Sequence, residues 1–269
     1  MDRPSRAHTE LVPLLARLAA EAGRLILSFS EGGLEVRSKK DESPVTNADV
    51  RAEEMLLEGL ARILPGVPVL AEEQASDGKV PDTSGTFLVI DPLDGTKEYL
   101  SGRAEYTVNI GLIEGGRPCL GILAVPALGR SYRGLVGAGA ARALHAPGLV
   151  PAEDAFAPIE TRPLASPPLA LTSRGHNDAQ TEKFLDLLGA KERQRLGSAY
   201  KFALVAEGSA DVYARFAGTM EWDTAAGEAL LTAAGGGVRD PDGRLLRYAK
   251  TDTRFLNGPF IAWGRVPQT

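Results

Sequence analysis

Cysteine, histidine and aromatic residues are scarce in this sequence, and its basic residues are outnumbered by acidic ones. Cys119 is the only cysteine in 269 residues, so an intrachain disulfide is excluded and a thiolate metal site is not expected. Set in Pro-Cys-Leu-Gly-Ile-Leu, it reads as a small core residue. His8 and His145 read as incidental. With a net charge of −5, the chain lacks the clustered Lys and Arg that a nonspecific nucleic-acid binder needs to displace counterions. A small phosphorylated substrate is not excluded, because bound cations would supply positive charge locally. No run is long and apolar enough for a bilayer: Leu11 to Phe29 is interrupted by Arg17, Glu21 and Arg24. Met1-Asp2-Arg3-Pro4 opens with an acid and no apolar h-region, so no secretory signal is expected. The expected compartment is the cytoplasm, with at most peripheral association with the inner membrane. At 43% hydrophobic and 24% charged, the chain has the composition of an ordinary soluble globular protein. It is long enough for a large core in one unit or two tightly packed halves.

What is present centres on Thr86 to Glu98. Phe87 to Ile90 is a short apolar run with the character of a buried strand. At its end come Asp91 and Asp94, with Pro92 breaking the ladder and Gly95 allowing a sharp turn. Each acid taken alone is a turn former. Two acids at i and i+3 after an apolar strand, followed by Gly95-Thr96, make a geometry for a hard cation and a phosphate. Phosphatases with a nucleophilic aspartate carry their acids two residues apart. The three-residue gap here points to metal ligation rather than a covalent aspartyl phosphate.

Apolar residues from Leu11 to Ile26 recur at helical spacing, predicting a first helix from about 9 to 30. Leu34 to Lys40 reads as an exposed strand, and Val50 to Leu64 as a second helix. Thr46 and Asp49 fit a capping box, an alternative to any chemical role for Asp49. Val67 to Ala71 is a strand ending in Glu72-Glu73. Adjacent acids are usually a solvated turn, but these repeat the pattern of carboxylates delivered by a strand end. Gln74 to Ser84 reads as a polar loop. A hairpin and meander follow from Tyr106 to Leu144, and the Pro- and Ala-rich region from His145 to Pro168 is the expected domain boundary. Beyond it the sequence predicts strands at Leu169–Thr172, Asp211–Phe216 and Phe260–Trp263. Helices are expected at Asp178–Leu188, Ala199–Glu207 and Thr224–Ala234, and a hairpin from Val238 to Tyr248. Asp223, directly before a helix, is by itself an N-cap.

Glu72-Glu73 after a strand, Asp91-Pro-Leu-Asp94-Gly-Thr96, and Trp222-Asp223 before a small-residue helix are three separated motifs. In order and spacing they resemble the metal-binding motifs of the inositol-monophosphatase-like, lithium-sensitive phosphatases, over essentially the whole chain. Within that superfamily the chain is most similar to the bacterial 3′(2′),5′-bisphosphate nucleotidase group. The residues that carry this likeness are Asp41 to Thr46, Lys97-Glu98-Tyr99, Ser173-Arg174-Gly175-His176, Gly197 to Phe202, Tyr213-Ala214-Arg215 and Phe255-Leu256-Asn257. Two positions depart from the group's pattern: Gly175 stands where a second serine is usual, and Gly258-Pro259 is swapped.

The resemblance implies an α/β fold, a layered α-β-α-β-α sandwich. Its α+β N-terminal half (1–150) would carry most metal ligands. Its α/β C-terminal half (151–269) would carry the last ligand and the substrate-binding residues. It implies two or three Mg²⁺ held by Glu72, Asp91, Asp94, the Leu93 carbonyl and Asp223. Asp49 and Thr96, with Glu72, would orient and deprotonate an attacking water. Gly95 and Thr96 would cradle the scissile phosphate. Ser173, Ser198, Lys201 and Arg215 would bind substrate, the last three at a second phosphate, with Ser198 and Lys201 on one helical face. His176 would meet the adenine or its sugar; its alternative is a surface-loop histidine. The implied reaction is hydrolysis of adenosine 3′,5′-bisphosphate to AMP and phosphate, with inhibition by millimolar Li⁺. The alternatives are an inositol or sugar monophosphatase and, in another class, a non-catalytic nucleotide- or metal-binding module. The expected partner is a small nucleotide; monomer and homodimer stay open.

Overall fold

The computed structural model describes residues 5–30, 32–38, 44–175 and 178–265. His176, Lys39-Lys40 and the Asp41-Glu42-Ser43 part of the first nucleotidase-like stretch lie outside the described residues.

The predicted first helix forms as α1 (Arg6–Ser30), burying Leu15, Leu18, Ala19, Ala22 and Ile26, the stripe that a 3.6-residue period produces. Val36–Ser38 (β1) and Pro44–Thr46 (β2) pair antiparallel and lead into α2 (Asn47–Ile63). Next come β3 (Val69–Ala71), α3 (Glu72–Ser76), β4 (Phe87–Asp94) and α4 (Thr96–Leu100). The stretch expected as a loop from Gln74 therefore begins as helix. An antiparallel meander continues through β5 (Thr107–Glu114), β6 (Arg117–Val125), β7 (Arg130–Leu135), β8 (Gly139–Leu144) and β9 (Ala157–Ile159). With β3 parallel to β4, these make a seven-stranded sheet, β3-β4-β5-β6-β7-β8-β9. Its last strand comes from beyond residue 150.

The remaining elements are β10 (Leu169–Ser173), α5 (Ala179–Leu187), β11 (Glu192–Leu196), α6 (Tyr200–Ala206), β12 (Val212–Arg215), β13 (Thr219–Met220), α7 (Glu221–Ala233), β14 (Gly237–Arg239), β15 (Leu256–Asn257) and β16 (Phe260–Trp263). A second sheet has the order β11-β10-β12-β16-β14, parallel among β11, β10 and β12 and antiparallel beyond. The hairpin expected from Val238 to Tyr248 does not form. Val238 pairs instead with Ala262 of β16, and the chain after Arg239 runs irregularly to Lys250.

Alternation along the strands builds the layers. Leu88 and Ile90 face the α1–α2 side, while Phe87 and Val89 face α6 and α7. On the second sheet, Tyr213 and Phe260 join that central core, whereas Val212, Ala214 and Ile261 pack with Leu185 of α5. The result is α1–α2, seven-stranded sheet, α6–α7, five-stranded sheet, α5: the α-β-α-β-α sandwich. Glycines set the depth of α7. Gly111, Gly121 and Gly134 lie side by side on β5, β6 and β7. A Cβ at Gly121 would strike the Ala226 carbonyl, and one at Gly134 would sit 2.7 Å from Leu230 Cα. The helix rests on backbone.

Cys119 sits on β6 as a half-buried thiol, pushed up to about 12 by burial and by Glu114. His8, Glu114 and Cys119 each bring one ligand atom within 4.8 Å of the others, and His8 Nε2 meets Glu114 Oε1 at 3.0 Å.

Candidate active site

In a regular strand, residues 91 and 94 would point to opposite faces, because the side-chain period is two. Here the β4–β5 pairing shifts: Asp91 opposes Asn109 and Asp94 opposes Thr107, three residues against two. This bulge turns both carboxylates toward one cavity. Asp223 reaches the same place from α7, and single oxygens of Asp91, Asp94 and Asp223 lie within 4.8 Å of one another. Asp223 is the third helical residue rather than the cap: α7 begins at Glu221, and Asp223 Oδ2 accepts from the Met220 amide at 2.8 Å. Glu72, first residue of α3 and at the end of the strand parallel to β4, hydrogen-bonds the Asp91 carboxyl.

Asp49 joins this group while still capping α2. Its Oδ2 accepts from the Thr46 amide and hydroxyl at 2.8 and 2.5 Å. Its Oδ1 accepts from Thr96 Oγ1 at 3.0 Å. The Thr96 hydroxyl also lies 3.2 Å from the Leu93 carbonyl. With one proton to give, it favours the carboxylate and leaves that carbonyl for other partners.

The electrostatics are those of acids crowded together. Asp91 is held well above the usual carboxylate range by burial, and then by Glu72, Asp94 and Asp223. Burial, Asp94 and Glu72 push Asp223 up to about 8. Asp49 is raised chiefly by burial. Asp94 is raised by burial against the opposing pull of Lys201 and the Ala199 amide. Oxygen donors alone, each costly to ionise beside the others, are the donor set a hard divalent cation takes. The residues present therefore fit such a cation.

The cavity above these acids measures about 1080 Å³. Thr96 and Gly95 line it, Gly95 with φ +98°, as do Ser173, Ser198 and Arg215 from the second half. Lys201 stands differently from expectation. The helix α6 starts at Tyr200, so Ser198 (φ +52°) precedes it and the two do not share a helical face. Lys201 is buried, with Nζ donating to the Leu196 and Ser198 carbonyls at 3.2 and 2.6 Å. Burial pulls it down to about 7 against the attraction of Asp94. It lies behind the cavity wall rather than on it. Arg215 donates to the Gly218 carbonyl at 3.0 Å, while its buried Nε finds no partner.

Asn109 escaped the sequence reading, and Arg174 entered it only as part of a family-like stretch. Asn109 Nδ2 lies 3.3 Å from Asp94 Oδ2 and 3.5 Å from the Trp222 carbonyl, and its Oδ1 is buried without a partner. Its one signal was an amide inside the apolar run of β5. Arg174 pairs with Glu105 at 3.0 Å and approaches Glu98 at 3.8 Å, joining the two halves at the cavity mouth.

Known proteins share this arrangement of chain. The protein named 3′(2′),5′-bisphosphate nucleotidase CysQ from Salmonella typhimurium is 39% identical over 248 residues, covering 91% of this chain and 96% of that one. The crystal structure of CysQ from Bacteroides thetaiotaomicron, a bacterial member of the inositol monophosphatase family, matches with TM-score 0.76 at 35% identity. It covers 94% of this chain and 97% of that one. Inositol monophosphatase from Anabaena (Nostoc) sp. PCC 7120 matches with TM-score 0.73 at 27% identity, covering 96% and 92%. The model of the inositol monophosphatase family itself runs from residue 8 to residue 264. On that match, and on a fold common to its solved members, this chain belongs to the inositol monophosphatase family.

Proposed function

We propose that the chain is a Mg²⁺-dependent 3′(2′),5′-bisphosphate nucleotidase. It hydrolyses the 3′-phosphate of adenosine 3′,5′-bisphosphate to AMP and phosphate by direct attack of water. The observation that carries this reading is the meeting of Asp91, Asp94 and Asp223 in a cavity lined also by Lys97, Arg103, Arg174, Arg215 and Arg254. Acids select the cation, and the surrounding cations suit a substrate with two phosphates. Similarity to the proteins named as bisphosphate nucleotidases supports the choice of substrate.

Asp91, Asp94, Asp223, Glu72 and the Leu93 carbonyl would hold two or three Mg²⁺. When bound, those ions supply Lewis acidity to the phosphoryl group and neutralise charge on the departing oxygen. Asp49 and Thr96, with Glu72, orient the attacking water, and Asp49 Oδ1 takes up its proton. The backbone of Gly95 and Thr96 receives the scissile phosphate. Ser198 and Arg215 face the second phosphate directly; Lys201, buried behind them, adds its charge through the wall. Ser173 completes the pocket from β10. His176 is assigned to the adenine or ribose on its place in the sequence alone. The half 1–150 thus brings most of the acids and the seat of the scissile phosphate, and the half 151–269 brings Asp223 and the remaining substrate contacts. Among the described residues no helix is long and apolar enough to cross a membrane; location in the cytoplasm remains part of this proposal.

Phosphate release from adenosine 3′,5′-bisphosphate and inositol 1-phosphate at equal concentration tests the reading. Faster turnover of the nucleotide is expected. Faster turnover of the inositol phosphate would overturn it, and indifference to millimolar Li⁺ would weaken the lithium-sensitive assignment.

A further inference from the structure

Glu221 is fully buried beside Trp222 and Asp223, and both its carboxylate oxygens are engaged. Oε2 accepts from the Ala249 amide at 2.9 Å. Oε1 accepts from the Lys250 amide at 2.9 Å and from Lys250 Nζ at 2.8 Å. A carboxylate removed from water to this degree persists only with such partners. Lys250 Nζ also donates to the Arg247 carbonyl and, at 2.9 Å, to Asn257 Oδ1. Asn257 in turn donates to the Met220 carbonyl at 3.0 Å and to Thr224 Oγ1 at 2.9 Å.

The network therefore grips two things. One is the first turn of α7, where the Met220 amide holds Asp223. The other is the segment 249–257, in which Ala249, Arg254 and Phe255 take φ of +72°, +53° and +64°. Side-chain-bearing residues stay in that region only where their surroundings over-determine them. Arg254 and Phe255 line the catalytic cavity, and the Glu221 amide donates to the Phe255 carbonyl at 2.9 Å.

We propose that Glu221, Lys250 and Asn257 form a positioning unit that sets Asp223 and the Arg254–Phe255 wall in register, so that cation affinity and substrate affinity are tuned together. None of the three lines the cavity; they act through Asp223 and Phe255. The nucleotide side of this inference rests on the function proposed above, whereas the cation side does not.

The test compares Lys250→Met with Lys250→Arg, which keeps the charge. KM and kcat are measured for adenosine 3′,5′-bisphosphate over a Mg²⁺ series. Binding of Mn²⁺ without substrate is measured by calorimetry, with the thermal midpoint of each variant. Lys250→Met is expected to raise KM and the half-saturating Mg²⁺ by about tenfold and to weaken Mn²⁺ binding by a similar factor. Its kcat should change by less than about threefold. Lys250→Arg should recover most of the loss. A folded Lys250→Met with wild-type KM, Mg²⁺ dependence and Mn²⁺ affinity would overturn the inference, whatever its thermal midpoint. Should Lys250→Met not fold, Asn257→Ser is read in the same way. A wild-type protein that prefers inositol 1-phosphate would sink the nucleotide reading, while the Mn²⁺ arm would still decide this one.

Discussion

Asp94 and Ala199 lie 105 positions apart in the chain, yet the Ala199 amide donates to Asp94 Oδ2 at 2.5 Å. One carboxylate thus ties the strand that carries the acid cluster to the loop that opens α6, while also belonging to that cluster. The cavity wall of one half is hung from an acid of the other.

Replacing Asp94 by Asn should separate these two duties. The amide keeps an oxygen for Ala199 but loses the charge for the cation. Hydrolysis in Mg²⁺ is expected to fall by roughly a thousandfold, the several kcal/mol such ions give to developing charge. Circular dichroism and the thermal midpoint should stay close to wild type. A fully active Asp94→Asn protein would refute the role given to Asp94.

Removing divalent cations should make stability fall as pH rises through the weakly acidic range. A carboxyl whose folded pKa is raised favours the fold in its protonated form. That contribution is complete below the ordinary carboxylate range and is lost as pH climbs through the folded value, about 8 for Asp223. In EDTA the melting temperature should fall from about pH 5 to about pH 7, above which the lowered Lys201 contributes with the opposite sign, and Mg²⁺ should reverse most of the fall. Glu228, five residues beyond Asp223 on α7 and hydrogen-bonded to Tyr248 at 2.7 Å, is pushed up to about 7 by burial. Its share has the same sign but persists in Mg²⁺ and should vanish in Glu228→Gln. A flat profile in EDTA would contradict the crowding of the acids.

The Thr96 hydroxyl should matter more than its methyl group. Thr96→Ser keeps the donor to Asp49 and should retain activity within a few-fold. Thr96→Ala should lose on the order of a hundredfold in kcat, the lower end of what positioned proton transfer contributes. Equal activity in the two variants would remove Thr96 from the mechanism.

A methyl group at Gly121 has nowhere to go but into the Ala226 carbonyl. Gly121→Ala should destabilise by about 1–3 kcal/mol or more. Because α7 carries Asp223, the surviving folded protein should also need more Mg²⁺ for half-maximal rate. Thermal melts and Mg²⁺ titrations check this; a variant that melts and titrates like wild type would mean that α7 is not seated by the glycine row.

The elements with strong periodicity were legible in the sequence. The stripe of α1, the run Phe87–Ile90 and the three-residue gap to Asp94 each follow from local rules, and the family resemblance supplied the layer order. Other features depend on partners far along the chain. The strand Glu192–Leu196 is an edge strand with mostly polar residues, so it has no apolar alternation to read. Val238 to Tyr248 carries a good turn in Pro241-Asp242-Gly243, but β16 offers Val238 a better partner. The bulge between Asp91 and Asp94 exists only once β5 is laid alongside. Lys201 reads as a solvated helical cation until Asp94 and two carbonyls enclose it. The helix carrying Asp223 starts three residues earlier than expected, because its start is fixed by Glu221 bonding to a loop some thirty positions later.

Asp49 divides its two oxygens between architecture and, on the proposed function, chemistry, one closing the first turn of α2 and the other holding Thr96. Selection for heat resistance and selection for turnover would therefore both retain aspartate at this position, each for a different side of the same group. A library screened by either criterion alone would return the same letter and leave the reason ambiguous.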